Sequence, residues 1–140
     1  MQQINPETTN PPRLDSTELR TALSQFTGTE LWYRHSLNKR MLYTDGIRYF
    51  AKNGGEIGAY WLLDKTALEI CPLLDRTNQA FDVVSVIVNL DHSADIIVTD
   101  GNEEPLLRLD INFTDLQNGE WRFYLIEDGD HRVMLLPSEY

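Results

Sequence analysis

This sequence is poor in the residues that build disulfides and metal centres. Its 140 residues include one cysteine, Cys71, and three histidines, His35, His92 and His131. A single cysteine excludes an intramolecular disulfide and suits a reducing cytoplasm. The histidines are predicted in different elements, and none has a second His or Cys at the spacing of zinc ligands. We therefore predict no metal site and no cofactor.

Long apolar runs are missing as well. The longest mainly apolar stretch, residues 81–90, is broken by Asp82, Ser85 and Asn89, and it is much shorter than the ~18 apolar residues of a membrane span. No secretory signal is visible at the N-terminus. These features predict a cytoplasmic protein without membrane contact.

Basic residues are few, because the chain has 22 acidic and 12 basic side chains and a formal net charge of −10. Direct binding to a nucleic-acid backbone requires clustered Lys and Arg, so this charge argues against it. Two interpretations remain open: the charge improves solubility, or it attracts a protein partner with a basic surface.

The motifs of catalysis are absent too. Cys71 precedes Pro72 and has the acidic neighbours Glu69 and Asp75, whereas a reactive thiolate needs an electropositive setting. The glycines of residues 52–58 are not followed by the G-K-[ST] of a phosphate-binding loop. No G-x-S-x-G nucleophile motif is present. The sequence therefore predicts no enzymatic activity and no catalytic residues.

What the chain does contain begins with a polar tail and a helix. Residues 1–13 are polar and carry three prolines, which is typical of a disordered tail. Residues 14–140 are predicted to form a single α+β domain. Asp15 and Glu18 have the spacing of a capping box, which predicts a helix that begins there and ends at Gly28.

A hairpin and two more helices are predicted next. Residues 29–35 and 40–44 are rich in aromatic and β-favouring side chains around a polar turn, the pattern of a hairpin. A short helix follows over residues 46–53. A longer, largely buried helix is predicted over residues 58–71 and is expected to stop at Pro72, because proline interrupts helices.

The second half changes to the period of strands. Five strands are predicted, over residues 81–90, 94–99, 106–113, 120–126 and 132–136. The short, turn-rich connections between them favour antiparallel neighbours. The fold class is therefore α+β: an antiparallel sheet of about five to seven strands, with the N-terminal helix and the helical pair packed on one face.

Alternation within the strands assigns the two faces of this sheet. Leu107, Leu109, Ile111 and Phe113 are predicted to face the helices, together with Trp121, Phe123 and Leu125. The wetter face carries Arg108, Asp110, Arg122 and Tyr124, and the adjacent acidic turn adds Glu103 and Glu104. Either these are ordinary cross-strand charge pairs, or they form a recognition surface.

Four segments together resemble a known family. They are QFTGTELWYRH (25–35), YTDGIRYFA (43–51), GAYWLLD (58–64) and the terminal LLPSEY (135–140). In this order they resemble a family of small bacterial proteins of unknown function, whose members look like plasmid-, phage- and cyanobacterium-associated reading frames. The resemblance covers roughly residues 19–140, and the KNGGEI segment departs from the shorter reversal of the family. It implies no catalytic residues.

The functional expectation is a binding protein of a mobile genetic element. The preferred form is an acidic inhibitor of a nucleic-acid-handling host protein, in an anti-defence role. The expected partner is a protein with a basic surface, contacted through Arg108, Asp110, Arg122, Tyr124, Glu103 and Glu104. The alternatives are a small-molecule-processing enzyme and a housekeeping accessory protein.

Overall fold

The computed structural model describes residues 13–140 as a seven-stranded sheet with helices. The first half contains α1 (Ser16–Leu23), β1 (Trp32–Arg34), β2 (Met41–Thr44), α2 (Asp45–Asn53), α3 (Tyr60–Lys65) and α4 (Cys71–Thr77). The second half contains β3 (Phe81–Val88), β4 (Ala94–Asp100), β5 (Pro105–Ile111), β6 (Gly119–Asp128) and β7 (His131–Leu135), then a 3₁₀ turn (Pro137–Glu139). The disordered tail expected at residues 1–13 falls outside the described residues, apart from Arg13.

The strand order is β1-β2-β7-β6-β3-β4-β5, so the α+β class is confirmed. All strand pairs are antiparallel except β2–β7, which is parallel. The sheet is therefore mixed, and the expectation of a wholly antiparallel sheet was wrong at this pair. Tight turns force antiparallel pairing only between strands that they join, and β2 and β7 come from opposite halves of the chain.

The first helix starts where its capping box predicts. The Glu18 N–H donates to Asp15 Oδ1 at 2.8 Å, and the Asp15 N–H donates to Glu18 Oε1 at 2.9 Å. The helix ends at Leu23 and not at Gly28. Beyond Leu23 the N–H groups of Gln25 and Phe26 bond three residues back, at 3.2 and 3.1 Å, so the last turn tightens and the α-helical path stops.

The helix predicted to stop at Pro72 continues through it. α3 leads into a π-helical turn, Thr66–Ile70, and then into α4, where Pro72 lies in the first turn. The Cys71 N–H bonds to the Thr66 carbonyl five residues back. Proline is tolerated at the start of a helix, and the π turn resets the register so that Pro72 occupies such a position. Among residues 13–140, no helix is both long and apolar enough to cross a membrane.

One face of the sheet packs on the helices. In β3 the residues Asp82, Val84, Val86 and Val88 are buried, whereas the residues between them are partly exposed. From the helical side, Phe50 of α2 packs its ring against Trp121 and Phe123, with centroids 5.8 and 4.8 Å apart. Leu107, Leu109 and Ile111 join this core as predicted. Phe113 does not: β5 ends at Ile111, and Phe113 is 69% exposed.

Candidate functional site

The opposite face of the sheet carries partly exposed side chains. We call it the open face and define it on four neighbouring strands by residues that share a register: Phe81, Val83, Ser85 and Ile87 of β3, Asp95, Ile97 and Thr99 of β4, Arg108 and Asp110 of β5, and Glu120, Arg122 and Tyr124 of β6. None of them is fully buried. Apolar residues such as Val83, Ile87 and Ile97 are thus left in partial contact with water, on a face where strand pairing holds them rigidly.

Two rows of mainly polar and charged side chains, each with one isoleucine, cross the open face. The pairing places Arg122, Ser85, Ile97 and Arg108 side by side, and next to them Glu120, Ile87, Asp95 and Asp110. Arg108 lies 3.1 Å from Asp95 and 3.6 Å from Asp110, and Arg122 lies 3.0 Å from Glu120. The arginine and carboxylate charges therefore compensate one another locally.

The structure places four of the six predicted contact residues on this face. Arg108, Asp110, Arg122 and Tyr124 all belong to it, but β3 and β4 lie between Arg108 and Arg122. Three strand spacings separate those two arginines by ~14 Å, so they cannot contact one small group together. Extended contact with another macromolecule fits this spacing better.

Glu103 and Glu104 lie in the turn between β4 and β5, beside the face and not on it. Both are exposed. The turn is organised by Asp100, whose Oδ1 accepts the N–H groups of Asn102 and Glu104 at 2.7 and 2.9 Å. The carboxylates of Glu103 and Glu104 form no ion pair within residues 13–140, so their charge faces solvent.

An aromatic triad, missed by the sequence reasoning, lies on the open face. The rings of Phe81, Tyr124 and Tyr140 are mutually in contact, with centroid distances of 5.0, 5.3 and 5.4 Å. Tyr140 remains 72% exposed. Tyr124 was predicted from its alternation. Phe81 could not be assigned to a face because its strand is apolar on both faces. Tyr140 is far from Phe81 in the sequence, and their contact is visible only in the fold.

Buried charges lie on the helical face, at the end of the sheet near α4. Asp82 is 0% exposed and Arg132 is 3% exposed. Arg132 Nε donates to Asp75 Oδ1 at 3.0 Å, but neither Asp82 oxygen has a hydrogen-bond partner within residues 13–140. Burial raises the pKa of Asp82 to about 6, although the charge of Arg132 acts in the opposite direction.

The chain offers little chemistry of the nucleophilic or metal-binding kind. Burial raises the pKa of the Cys71 thiol to about 12, so this thiol stays protonated at neutral pH and is a weak nucleophile. Within the described part of the chain, no cluster of three or more His, Cys, Asp or Glu side chains is placed to hold a metal ion.

Comparison with known proteins gives one match. The model of a family described as "Family of unknown function (DUF6876)" matches residues 17–140. The chain belongs to this family. Searches of curated proteins and of solved structures found no match. The matched range agrees with the resemblance drawn from the four sequence segments.

Two of those segments are joined in this DUF6876 member by a histidine. His35, from QFTGTELWYRH, has its Nε2 2.8 Å from Oδ1 of Asp64, the last residue of GAYWLLD. The Nδ1 atom accepts the N–H groups of Leu37 and Asn38, both at 3.1 Å, so the ring proton is on Nε2 and is donated to Asp64. Both ring nitrogens are thus occupied, and His35 ties the first hairpin to α3.

The other two segments are joined by a buried carboxylate. Glu139, from LLPSEY, accepts the Thr44 hydroxyl at 2.6 Å and the N–H groups of Gly46 and Leu136 at 3.2 and 2.9 Å. A Cβ at Gly46 would lie 2.5 Å from Leu136 Cδ1 and 2.8 Å from Glu139 Oε1, so any other residue would displace the side chains of Leu136 and Glu139. His35 and Glu139 therefore hold distant parts of the chain together.

Proposed function

We propose that this protein binds another protein through the open face and has no catalytic activity of its own. The observation that carries the proposal is the aromatic triad on a rigid, partly apolar face bordered by Arg108 and Arg122. Interface hot spots are enriched in Tyr, Trp and Arg and lie in patches that become fully desolvated on binding. Tyr140 and Tyr124 offer aromatic surface at low entropic cost, because each side chain has few rotatable bonds.

The carboxylates of two turns at one end of the sheet favour a basic partner. Asp82 pairs with Asp100, and Phe81 pairs with Ile126, so the β4–β5 and β6–β7 turns both lie beside the start of β3. Together these turns carry the carboxylates of Asp100, Glu103, Glu104, Asp128 and Asp130. Because the charges on the open face are largely paired with one another, these turns supply the field that would attract a cationic surface.

A nucleic-acid-handling protein is the partner class that fits this arrangement best. Such proteins present grooves lined with Lys and Arg that contact phosphates, and carboxylates along one end of a rigid sheet would occupy phosphate positions. We infer an inhibitor of this kind, carried by a mobile genetic element and acting against host defence.

The test compares charge reversals of equal size at different places. A partner is captured by affinity pull-down from the native host and identified by mass spectrometry, and its association rate is then measured. We expect Glu104→Lys or Asp110→Lys to slow association several-fold at low salt. The control Glu56→Lys, at an exposed site between α2 and α3, should have little effect.

Physiological salt should reduce the difference between these variants, because charge screening shortens to ~8 Å. All three substitutions should leave the melting temperature unchanged, since the three side chains are exposed. Equal binding by all three variants would refute a partner recognised through its charge.

A further inference from the structure

Half of one edge of β6 has no neighbouring strand. On one side β6 pairs with β3 along residues 119–126, whereas on the other side β7 pairs only with residues 124–128. Within the described chain, residues 119–123 therefore lack a partner on the β7 side. Alternate backbone N–H and C=O groups of a strand point to each side, so this half-edge presents unpaired backbone groups in the middle of the sheet.

The half-edge forms one wall of a groove of about 420 Å³. The remaining walls come from Leu23 and Ser24 at the end of α1 and from Leu136, Pro137 and Ser138 at the start of the C-terminal turn. The chain leaves the sheet at Leu136 and does not continue beside β6. The groove thus lies where a further strand could pair with β6, a position that residues 13–140 leave empty, and its lining combines apolar side chains with Arg20, Glu120 and Arg122.

Two arginines line the groove: Arg122 is paired with Glu120, whereas Arg20 has no ion-pair partner among residues 13–140. The Arg20 guanidinium carbon is 4.4 Å from the centroid of the Trp121 ring, and stacking of this kind fixes the direction of the side chain. In a protein with a net charge of −10, an unpaired arginine in a groove is complementary to a carboxylate.

We propose that this groove binds an extended peptide segment that adds to β6 as a short strand and places an Asp or Glu side chain against Arg20. Backbone bonds to residues 119–123 would supply affinity, and the apolar walls would accept alternate side chains. Five residues in extended form span ~17 Å, the length of the free half-edge. This site shares Glu120 and Arg122 with the open face but contains no residue of the aromatic triad, and its test needs no knowledge of the partner proposed for the open face.

The test titrates the full-length, ¹⁵N-labelled protein with an acetylated hexapeptide of alternating valine and glutamate, and with its valine–lysine counterpart. We expect the amides of residues 119–123 to shift and to exchange more slowly with solvent when the glutamate peptide binds. Arg20→Gln should weaken this binding about tenfold, the equivalent of one charge-assisted hydrogen bond. Arg76→Gln, which removes an exposed cation on α4, should leave it unchanged.

Three outcomes would overturn the proposal. The first is an absence of shifts at residues 119–123 with millimolar glutamate peptide. The second is equal binding of the lysine peptide, or equal binding by the Arg20→Gln protein. The third is a shift of the same amides with protein concentration alone, which would identify a second copy of this chain as the occupant. Because Asp110→Lys does not alter the groove, failure here and failure of the open-face proposal are distinguishable.

Discussion

At the scale of single residues, Asp82 is a carboxylic acid that is fully buried without a hydrogen bond to its side chain in the described chain. Its position in β3 belongs to the buried alternation of Val84, Val86 and Val88, so its carboxyl group points toward the helices and not into water. The charge of Arg132 lowers the pKa of Asp82, but Arg132 donates its Nε–H to Asp75, and no hydrogen bond joins its remaining nitrogens to Asp82. A buried carboxylate without a hydrogen bond is costly, and the raised pKa of Asp82 expresses that cost.

Asp82 should make folding less favourable as the pH rises. The folded protein retains the proton up to about pH 6, whereas the ordinary pKa is 3.8, so wild-type stability falls between these values relative to a variant without the group. We expect the stability difference between Asp82→Asn and wild type to grow in favour of Asp82→Asn by roughly 2 kcal/mol from pH 4 to pH 7. Urea denaturation across this range measures the difference.

Asp110→Asn is the matched control, because the Asp110 side chain is 78% exposed. Its stability relative to wild type should vary much less over the same pH range. If the advantage of Asp82→Asn stayed constant or shrank with rising pH, Arg132 would be holding Asp82 as a stable ion pair, and the explanation by burial would be wrong.

At the scale of helices and strands, some features of the fold could be predicted from the sequence and others could not. The capping box of α1 was predicted because Asp15 and Glu18 satisfy each other within one turn. The continuation of the helix from α3 through Pro72 into α4 was not predicted, because it depends on a π turn, and a π turn forms only where surrounding packing stabilises it. His35 and Glu139 stood in recognisable segments, but their partners Asp64 and Thr44 are chosen by the tertiary fold.

The C-terminal turn should depend on Glu139. Glu139→Ala leaves the Thr44 hydroxyl and the N–H groups of Gly46 and Leu136 without their acceptor in a buried site. We expect a loss of about 2–3 kcal/mol in the free energy of unfolding, measured by urea denaturation. Glu139→Gln should lower the free energy of unfolding by less, because one acceptor oxygen remains. Some loss is still expected, because the substitution removes the negative charge at the N-terminus of α2.

Ser138→Ala is the control for this substitution, since Ser138 is exposed in the same turn and should tolerate the change. If Glu139→Ala and Ser138→Ala proved equally stable, the buried carboxylate would have no part in anchoring the C-terminal turn to α2.

At the scale of the whole molecule, alternation was enough to find the open face but not its composition. A period of two along β5 and β6 separates Arg108 and Tyr124 from the core, and the structure agrees. The parallel β2–β7 pair and the contact of Tyr140 with Phe81 join residues that are far apart in the chain. Local patterns carry no information on such pairs, so the triad and the free half-edge of β6 required the fold.

The central claim is that the open face is the surface that meets a partner. Hydroxyl-radical footprinting of the captured complex tests it most directly, because oxidation rates report the solvent exposure of individual side chains. We predict that oxidation of Phe81, Tyr124 and Tyr140 slows on complex formation, while that of Tyr60, 41% exposed on α3, does not change. Protection of Tyr60 with unchanged oxidation of the triad would place the partner on the helical side and contradict the claim.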